Sequence, residues 1–292
     1  MTRRPGAVPA PVLILGSVVS VQFGGALAVT LLPLIGVAGS VALRLGIATV
    51  LLCGWLRPSP RGRSRADWGA AAAYAVVLGS MNLCFYGSLQ RLPIGVAVTI
   101  EFIGPLVLSA VLSRHLRDLL AVLLAAAGVL LVSGAIGTPL DRLDGTGIML
   151  GLGAGACWAA YIVTSRGAGR HFAGLDGLAI AMLMATVVVL PLGLVEAGGS
   201  LFSPTALLKG AGIAVLSSVL PYSLELVALR RLSPQVFGIL LSLEPVVAAG
   251  AGLLVLGQRL SLLKLAGMLF VVAASVLILG AARGAGQPPR DV

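Results

Sequence analysis

IGVAVTIEFIGPLVLSAVLS, residues 94–113, is a stretch of twenty residues in which Glu101 is the one charged side chain. A helix that crosses a bilayer needs about 20 predominantly apolar residues, so this stretch predicts a transmembrane helix. Pro105 removes a backbone hydrogen bond and loosens the carbonyls of the turn before it. The stretch therefore predicts a bent helix that carries a carboxylate near its middle.

The rest of the chain has the same apolar character. Of its 292 residues 58% are apolar and 10% are charged, and the mean hydropathy is +1.07. An ordinary soluble domain has about 25% charged residues, so this composition excludes a soluble enzyme, a disordered chain and a nucleic-acid-binding domain. The apolar runs show no alternation of period two, which argues against strands. We predict an all-α integral membrane protein with ten transmembrane helices. The ten stretches are Val12–Leu32, Ala38–Leu56, Gly69–Ser88, Ile94–Ser113, Leu119–Ile136, Gly147–Ser165, Asp176–Glu196, Thr205–Ala228, Gln235–Leu256 and Ser261–Gly280.

The basic residues predict the orientation of these helices. If the N-terminus is cytoplasmic, fourteen of the 20 Lys and Arg residues fall in inner segments and five in outer segments, and Arg44 falls inside a span. Cytoplasmic loops carry an excess of Lys and Arg, so we expect both termini to be cytoplasmic. The densest cluster, residues 57–65, is then the loop between the second and third helices. Its arginines set the topology or bind lipid headgroups.

The two halves of the chain resemble each other. Leu89-Gln-Arg-Leu-Pro93 aligns with Leu229-Arg-Arg-Leu-Ser233 at a shift of 140 residues, and the same shift places Pro105 on Pro245. Residues 1–140 and 141–292 then hold five helices each. Because five is odd, the second half enters the membrane from the opposite side. An inverted repeat of this kind is typical of secondary transporters, whose binding site lies at the midplane between the repeats.

Two glutamates lie near the middle of predicted spans, where charge is costly and therefore informative. Glu101 is in the fourth span and Glu244 in the ninth, and each precedes a proline. Under the 140-residue shift their positions differ by about one helical turn on a similar face. Either carboxylate can hold a proton or the ammonium group of a substrate. A structural ion pair is the alternative interpretation.

Two further charges fall inside predicted spans. Arg44, in the second span, can bind a substrate carboxylate or neutralise a glutamate, since a guanidinium suits both tasks. Glu225, in the eighth span, is about one turn from Arg230 and Arg231. It belongs either to the site or to a charge pair at the membrane surface.

Polar and aromatic side chains in the spans complete a candidate pocket. Asn82 is the most informative, because an unpaired amide in lipid is costly. Packing between helices or at the membrane interface is the alternative for these residues. The candidates are Gln22, Asn82, Tyr86, Trp158, Tyr161 and Tyr222.

The chain offers little for catalysis or metal binding. Its two histidines and three cysteines show no metal-ligand spacing, so we expect neither a metal nor a cofactor. A membrane enzyme would need a polar catalytic cluster at a membrane surface, and we expect none here.

Six short motifs follow one another along the chain. They are Ala42-Leu-Arg-Leu45, Met81-Asn-Leu-Cys-Phe-Tyr86, Glu101-Phe-Ile-Gly-Pro-Leu106, Gly153-Ala-Gly-Ala-Cys-Trp-Ala-Ala-Tyr161, Leu220-Pro-Tyr-Ser-Leu-Glu225 and Leu243-Glu-Pro-Val246. In order and spacing they resemble the ten-helix drug/metabolite transporter superfamily with two EamA-type repeats. The resemblance implies a multi-pass exporter of the bacterial inner membrane. Its implied substrates are small amino acids such as threonine and homoserine, and another metabolite or a drug is the alternative.

The resemblance also implies that the proton gradient drives export. A zwitterionic substrate needs a cationic partner for its carboxylate and an anionic partner for its ammonium group. We expect Arg44 to serve the first need and Glu101 or Glu244 the second, with protonation from outside releasing the substrate. The expected partners are therefore a small amino acid, protons and the lipid bilayer, and no nucleic acid.

Overall fold

The computed structural model describes residues 8–113, 116–133, 144–172, 175–229 and 240–284. The regular structure in these ranges is helical, as predicted, and no strand occurs among them. Besides α-helices, the chain forms a 3₁₀ turn, Gly198–Phe202, and a π-helical segment, Val215–Val219. The α-helices of these ranges are α1 (Ala10–Leu56), α2 (Arg65–Leu89), α3 (Ile94–Glu101), α4 (Ile103–Ser113), α5 (Leu116–Ser133), α6 (Gly145–His171), α7 (Asp176–Ala197), α8 (Pro204–Ala214), α9 (Leu220–Leu229), α10 (Glu244–Leu256) and α11 (Leu262–Gly284).

Helix α1 is 47 residues long and is interrupted at Gly36, whose φ of 71° and ψ of −173° are not helical. Glycine adopts such a φ without steric cost. In a straight helix Gly24 and Arg44 would be about 30 Å apart. Both instead contact Ser217, since a β-carbon on Gly24 would overlap its hydroxyl and Arg44 donates to its carbonyl. The two halves of α1, residues 10–35 and 37–56, therefore lie side by side and match the first two predicted spans.

The carboxylate of Glu196 caps the second half of α1. Its oxygens accept hydrogen bonds from the backbone N–H groups of Val37 at 3.2 Å, Ala38 at 2.5 Å and Gly39 at 3.1 Å. A carboxylate at a helix N-terminus satisfies N–H groups that have no partner within the helix and matches the positive end of the helix dipole. Glu196, near the end of α7, thus fixes α7 to the point where the chain reverses.

Several helices are long and apolar enough to cross a membrane. Five meet this criterion among the described residues: Ala10–Leu56, Arg65–Leu89, Gly145–His171, Asp176–Phe202 and Pro204–Glu225. Shorter apolar helices are Ile94–Leu108, Leu120–Leu131, Glu244–Leu256 and Leu262–Ala274. Each of the ten predicted stretches overlaps one of the helices, while the number of membrane crossings stays a prediction.

Two of the predicted spans differ from the helices that the structure contains. The fourth is divided at Phe102 into α3 and α4, where the sequence predicted one bent helix. The division lies three residues before Pro105, whose missing N–H weakens the helix at this point. The ninth span was predicted to begin at Gln235, which lies outside the described residues, and α10 begins at Glu244 after a turn.

The helices pack in pairs that join the two halves of the chain. Helix α2 packs on α6, and the first half of α1 packs on α9, where Ser17 bonds to Glu225. The second half of α1 packs on α7, where Thr49 bonds to Thr186. Helix α3 packs on α10, and α5 packs on α11. Large apolar side chains such as Val195, which is 88% exposed, cover the outside, as a lipid environment requires.

Helices α4 and α6 meet backbone to backbone at two glycines. A β-carbon on Gly104 would overlap the carbonyl group of Gly155, and one on Gly155 would meet the carbonyl oxygen of Glu101. Glycine at both positions allows α6 to lie directly against the division between α3 and α4. This contact places α6 beside Glu101.

At one end of the bundle, the start of α2 and the loop before it contact the end of α6 and the start of α7. His171 Nδ1 lies 2.7 Å from Asp67 Oδ1. Arg63 donates to the His171 carbonyl at 3.3 Å and lies 3.8 Å from the carboxylate of Asp176. Asp67 also forms a capping box with Ser64 at the start of α2. The backbone N–H of Ser64 and the side chain of His171 hold the pKa of Asp67 below its usual range.

The lowered pKa of Asp67 makes the stability of this end depend on pH. A carboxyl group whose pKa is lowered by folding contributes stability above its unfolded pKa of about 3.9. That contribution is lost as the pH falls through the folded pKa. We expect Asp67→Asn to lower the Tm of the detergent-solubilised protein at neutral pH, and the difference from wild type to shrink below about pH 4. Ser203→Ala, which removes the N-cap of α8 and no carboxylate, is the control and should show a Tm loss without this pH dependence. A Tm difference for Asp67→Asn that is unchanged through the acid range would contradict the assignment.

The contact between α4 and α6 predicts the effect of a single methyl group. We expect Gly104→Ala to destabilise the protein by about 1–3 kcal/mol, because the added carbon overlaps a backbone carbonyl that has no room to move. The measurement is the Tm and folded yield in detergent. Gly153→Ala is the matched control on α6, since its β-carbon would lie at an ordinary 3.5 Å from Cys84 Sγ. Equal losses in the two variants would show that close approach at Gly104 is unimportant.

Candidate functional site

Glu101 and Glu244 both lie where a helix is interrupted. Glu101 is the last residue of α3 and is 8% exposed, and Glu244 is the first residue of α10 and is 9% exposed. Because residue 105 is proline, the Glu101 carbonyl has no N–H four residues ahead to accept from. In the second half, Pro245 follows Glu244 directly. The structure therefore puts each carboxylate at the end of a helix segment, inside the bundle.

Helix α1 supplies partners to the carboxylates of the second half. Gln22 Nε2 donates to Glu244 Oε2 at 3.5 Å, and Ser17 Oγ donates to Glu225 Oε1 at 2.6 Å. Glu244 also interacts electrostatically with Glu225 and Glu101. Glu225 and Glu244, predicted from separate spans, are thus both bonded to the first half of α1, and Glu244 is buried as Glu101 is.

The predicted pairing of Glu225 with Arg230 and Arg231 lies outside the described residues. Within the described residues the hydroxyl of Ser17 is a partner of Glu225. Ser17 was not predicted as a site residue, because a single serine in an apolar span gives no signal of which helix it faces.

Arg44 is held by the π-helical segment Val215–Val219. Its Nη2 donates to the carbonyl of Ser217 at 3.0 Å, and its Nε donates to Ser218 Oγ at 3.4 Å. Residue 221 is proline, so the Ser217 carbonyl has no N–H four residues ahead to accept from. The Arg44 guanidinium donates to this carbonyl instead. Arg44 also interacts electrostatically with Glu101. The sequence analysis missed this pair of serines, although two serines one turn before a mid-span proline are a usable signal.

Tyr86 lies beside Arg44. The Arg44 Cζ is 5.7 Å from the centroid of the Tyr86 ring, and Tyr86 is fully buried. Its hydroxyl has no hydrogen-bond partner among the described residues. Tyr86 and Arg44, predicted from different spans, therefore form one polar corner of the buried region.

Asn82 is buried at 3% exposure, but its amide is used locally. Its Nδ2 donates to the carbonyl of Leu78 at 2.8 Å, four residues earlier on α2. The sequence analysis expected a bond to a neighbouring helix or a place in the pocket. This bond lies within one helix, and a place of Asn82 in the pocket stays a prediction.

The structure separates the two aromatic candidates of α6. Trp158 packs edge-on against Phe102, at a centroid distance of 5.5 Å and an interplanar angle of 75°, next to Glu101. Tyr161 packs on Tyr74 at 5.2 Å. Tyr74 lies twelve residues before Tyr86 on α2, or about 18 Å along the helix. Tyr161 is thus distant from the Arg44 corner.

Two cysteines are further neighbours of Glu101. The thiols of Cys84 on α2 and Cys157 on α6 interact electrostatically with Glu101. Both are partly buried free thiols. Neither cysteine was predicted to lie near the site, since position in an apolar run does not show which side chain it faces. The side chain of Tyr222, another candidate, lies outside the described residues.

The buried region holds one guanidinium and three carboxylates, together with hydroxyl and amide groups. The ranges that the structure describes contain no group of three His, Cys, Asp or Glu side chains that could hold a metal ion. Such a set of groups suits the binding of a small ligand that carries both charges, and the exchange of protons with it.

The chain is similar to known amino-acid exporters over most of its length. Residues 145–280 match the EamA-like transporter family. The chain is 39% identical over 276 residues to the threonine/homoserine exporter RhtA of Salmonella typhimurium (strain SL1344), a match that covers 94% of this chain and 92% of that protein. It is 38% identical over 265 residues to the protein of the same name from Escherichia coli (strain K12), covering 91% of this chain and 89% of that protein.

A solved crystal structure of a protein 16% identical in sequence has the same fold. It superposes with a TM-score of 0.63 and covers 96% of this chain and 100% of that chain. Together with the long apolar helices, these similarities identify a multi-pass membrane protein. The family resemblance inferred from the six motifs is confirmed: the chain belongs to the EamA-like transporter family.

Proposed function

We propose that this protein is an inner-membrane secondary transporter that exports small amino acids such as threonine and homoserine by proton antiport. The substrate follows the relatives, which are threonine/homoserine exporters. The observation that carries the mechanism is the burial of two carboxylates, Glu101 and Glu244, in a bundle where Arg44 is anchored to Ser217 and Glu244 accepts from Gln22. These groups are complementary to the two charges of an amino acid.

Arg44 and Glu101 have the chemistry to bind the two ends of a zwitterion. A guanidinium binds a carboxylate through directed N–H groups, and Arg44 is held in place by Ser217 and Ser218. A carboxylate such as that of Glu101 binds an ammonium group. Because the region is shielded from water, both attractions are stronger than they would be at the surface.

Protons compete with the ammonium group for the carboxylates. A proton arriving from the outside neutralises Glu101 or Glu244 and releases the substrate there. The carboxyl group then loses its proton to the cytoplasm and binds the next ammonium group. Burial disfavours the ionised form of any carboxyl group, which brings such an exchange closer to neutral pH.

We propose further that ten helices form two inverted repeats, residues 1–140 and 141–292. The packing pairs support this arrangement. The first half of α1 packs on α9, and α2 packs on α6. In the proposed repeat the first half of α1 corresponds to α6 and α2 corresponds to α8 and α9, so these two contacts are equivalent. The interrupted helices next to Glu101 and Glu244 are also placed alike in the two repeats. Such interruptions at the midplane are typical of substrate sites in transporters with inverted repeats.

In this arrangement both termini are cytoplasmic. Arg63 and His171 lie together at one end of the bundle, which supports placing the arginine-rich loop before α2 and the loop after α6 on the same side. The excess of basic residues makes this side the cytoplasmic one. We expect green fluorescent protein fused after Val292 to fluoresce and alkaline phosphatase fused there to be inactive. The opposite pair of results would contradict the orientation.

The exchange mechanism predicts distinct losses in two isosteric variants. Wild-type protein in vesicles loaded with threonine should export it faster when the outside is more acidic. We expect Glu101→Gln and Glu244→Gln each to lower this gradient-driven efflux at least about tenfold, since each removes a buried partner of a charged group. Exchange of labelled for unlabelled threonine at equal pH separates the roles. A variant that keeps exchange has lost proton coupling, and one that loses both has lost the ammonium site.

Asp176→Asn is the matched control, because this carboxylate lies at the end of the bundle and meets Arg63 at 3.8 Å. Its efflux should stay within about twofold of wild type, since a partly exposed ion pair contributes little. Homoserine, other amino acids and drug-like cations form the substrate panel. Threonine efflux that is indifferent to the gradient, or that is intact in both site variants, would contradict proton antiport at these residues.

A further inference from the structure

The proton of the Tyr86 hydroxyl has no acceptor in the described part of the protein. Tyr86 is 0% exposed, and Arg44 beside it can only donate toward its oxygen. A buried hydroxyl without a partner carries a desolvation cost. Phenylalanine would fill the same space without that cost. The hydroxyl therefore points to a partner that is not part of the protein.

The neighbour of this hydroxyl limits what that partner can be. Arg44 interacts electrostatically with Tyr86 and lies 5.7 Å from its ring centroid. A guanidinium has only donors and no lone pair, so it cannot accept the phenolic proton. Both groups therefore offer protons from the same corner, and the missing partner is a hydrogen-bond acceptor.

We propose that the Tyr86 hydroxyl and the Arg44 guanidinium together form a subsite for the carboxylate of the substrate, and that Tyr86 makes a free carboxylate a requirement for transport. This inference rests on the proposed function, and it adds that Tyr86 recognises the carboxylate of the substrate.

Charge favours a carboxylate over the other groups of an amino acid. An ammonium group has no lone pair and is repelled by Arg44. A side-chain hydroxyl can accept a proton but gains little from the positive charge beside it. A carboxylate accepts from both donors, and hydrogen bonds to an ionised group are about twice as strong as those between neutral groups.

The position of Arg44 supports the same assignment. Its Nη2 and Nε are anchored to Ser217 and Ser218 on the second half of the chain, while Tyr86 comes from α2 in the first half. The carboxylate would thus bind where helices from both halves meet. A substrate whose carboxylate is blocked would offer neither group an ionised acceptor.

Tyr86→Phe tests this inference by comparing substrates that differ in one group. Binding of L-threonine, L-threoninamide and L-2-aminobutyrate is measured by calorimetry on the purified protein. Threoninamide lacks the carboxylate, and 2-aminobutyrate lacks the side-chain hydroxyl. We expect the variant to bind threonine and 2-aminobutyrate about ten- to a hundredfold more weakly, the usual effect of losing one hydrogen bond to a charged group. Wild type should already bind threoninamide weakly, and the variant should bind it no more weakly than wild type.

The Tm of the unliganded protein distinguishes a role of Tyr86 in binding from a role in stabilising the fold. Removal of an unpaired hydroxyl should leave the Tm of Tyr86→Phe unchanged or raise it, whereas loss of a structural hydrogen bond would lower it. Tyr74→Phe is the control for the substitution itself, since Tyr74 packs on Tyr161 about 18 Å along α2 from Tyr86. Its threonine affinity should equal that of wild type.

The outcomes separate this inference from the proposed function. If wild type binds threonine and Tyr86→Phe binds it equally well, the carboxylate subsite is wrong and the proposed function stands. If the variant loses affinity for threonine but not for 2-aminobutyrate, Tyr86 reads the side-chain hydroxyl, which also overturns the inference. If wild type binds none of the three compounds, the proposed function fails and this inference fails with it.

Discussion

Hydrocarbon offers no hydrogen bonds, so a polar group that enters the membrane must find its partner within the protein. This constraint confines the chain to helices, and it makes each proline of a span consequential. Pro105 and Pro221 each deprive a carbonyl one turn earlier of its usual N–H partner. The Ser217 carbonyl obtains a donor from Arg44, and the Glu101 carbonyl lies against Gly155. The polar region of the protein is built at these interruptions.

The same constraint explains how charged groups are tolerated in the bundle. Arg44 has both a backbone carbonyl and a hydroxyl as acceptors, and Glu225 and Glu244 receive hydrogen bonds from Ser17 and Gln22. These bonds hold the groups in place without neutralising all of their charge. Among the described residues, three carboxyl groups and one guanidinium lie in this region, so carboxyl groups remain that can exchange a proton or bind an ammonium group, which is the chemistry that the proposed exchange uses.

Helices from both halves of the chain contribute to this region. Residues of α1 and α3 meet residues of the π-helical segment, α9 and α10, and Tyr86 of α2 lies against Arg44. A site made by both halves changes its geometry whenever one half moves against the other. That property suits a transporter, in which the same groups must face the two sides of the membrane in turn.

Much of the fold and part of the site could be predicted from local patterns. Apolar stretches of about 20 residues indicate helices because hydrophobicity and helix length are local properties. The sequence also indicated three candidate site residues, because a charge inside an apolar span is costly and a charge in a loop is not. These residues are Glu101, Glu244 and Arg44. The interruption beside Glu101 followed from proline chemistry, although its form, two helices divided at Phe102, did not.

Which polar groups meet was decided only by the tertiary structure. Arg44 and Ser217 are 173 residues apart in the chain, and Gln22 and Glu244 are 222 apart. Nothing in the sequence indicated that Tyr161 packs on Tyr74, whereas Trp158 packs on Phe102, the residue after Glu101. The sequence by itself determined the helices and the charges that they carry, because these depend on neighbouring residues. The tertiary structure alone decided their partners, since contacts between distant helices depend on how whole helix faces pack, down to the glycines that let two backbones touch.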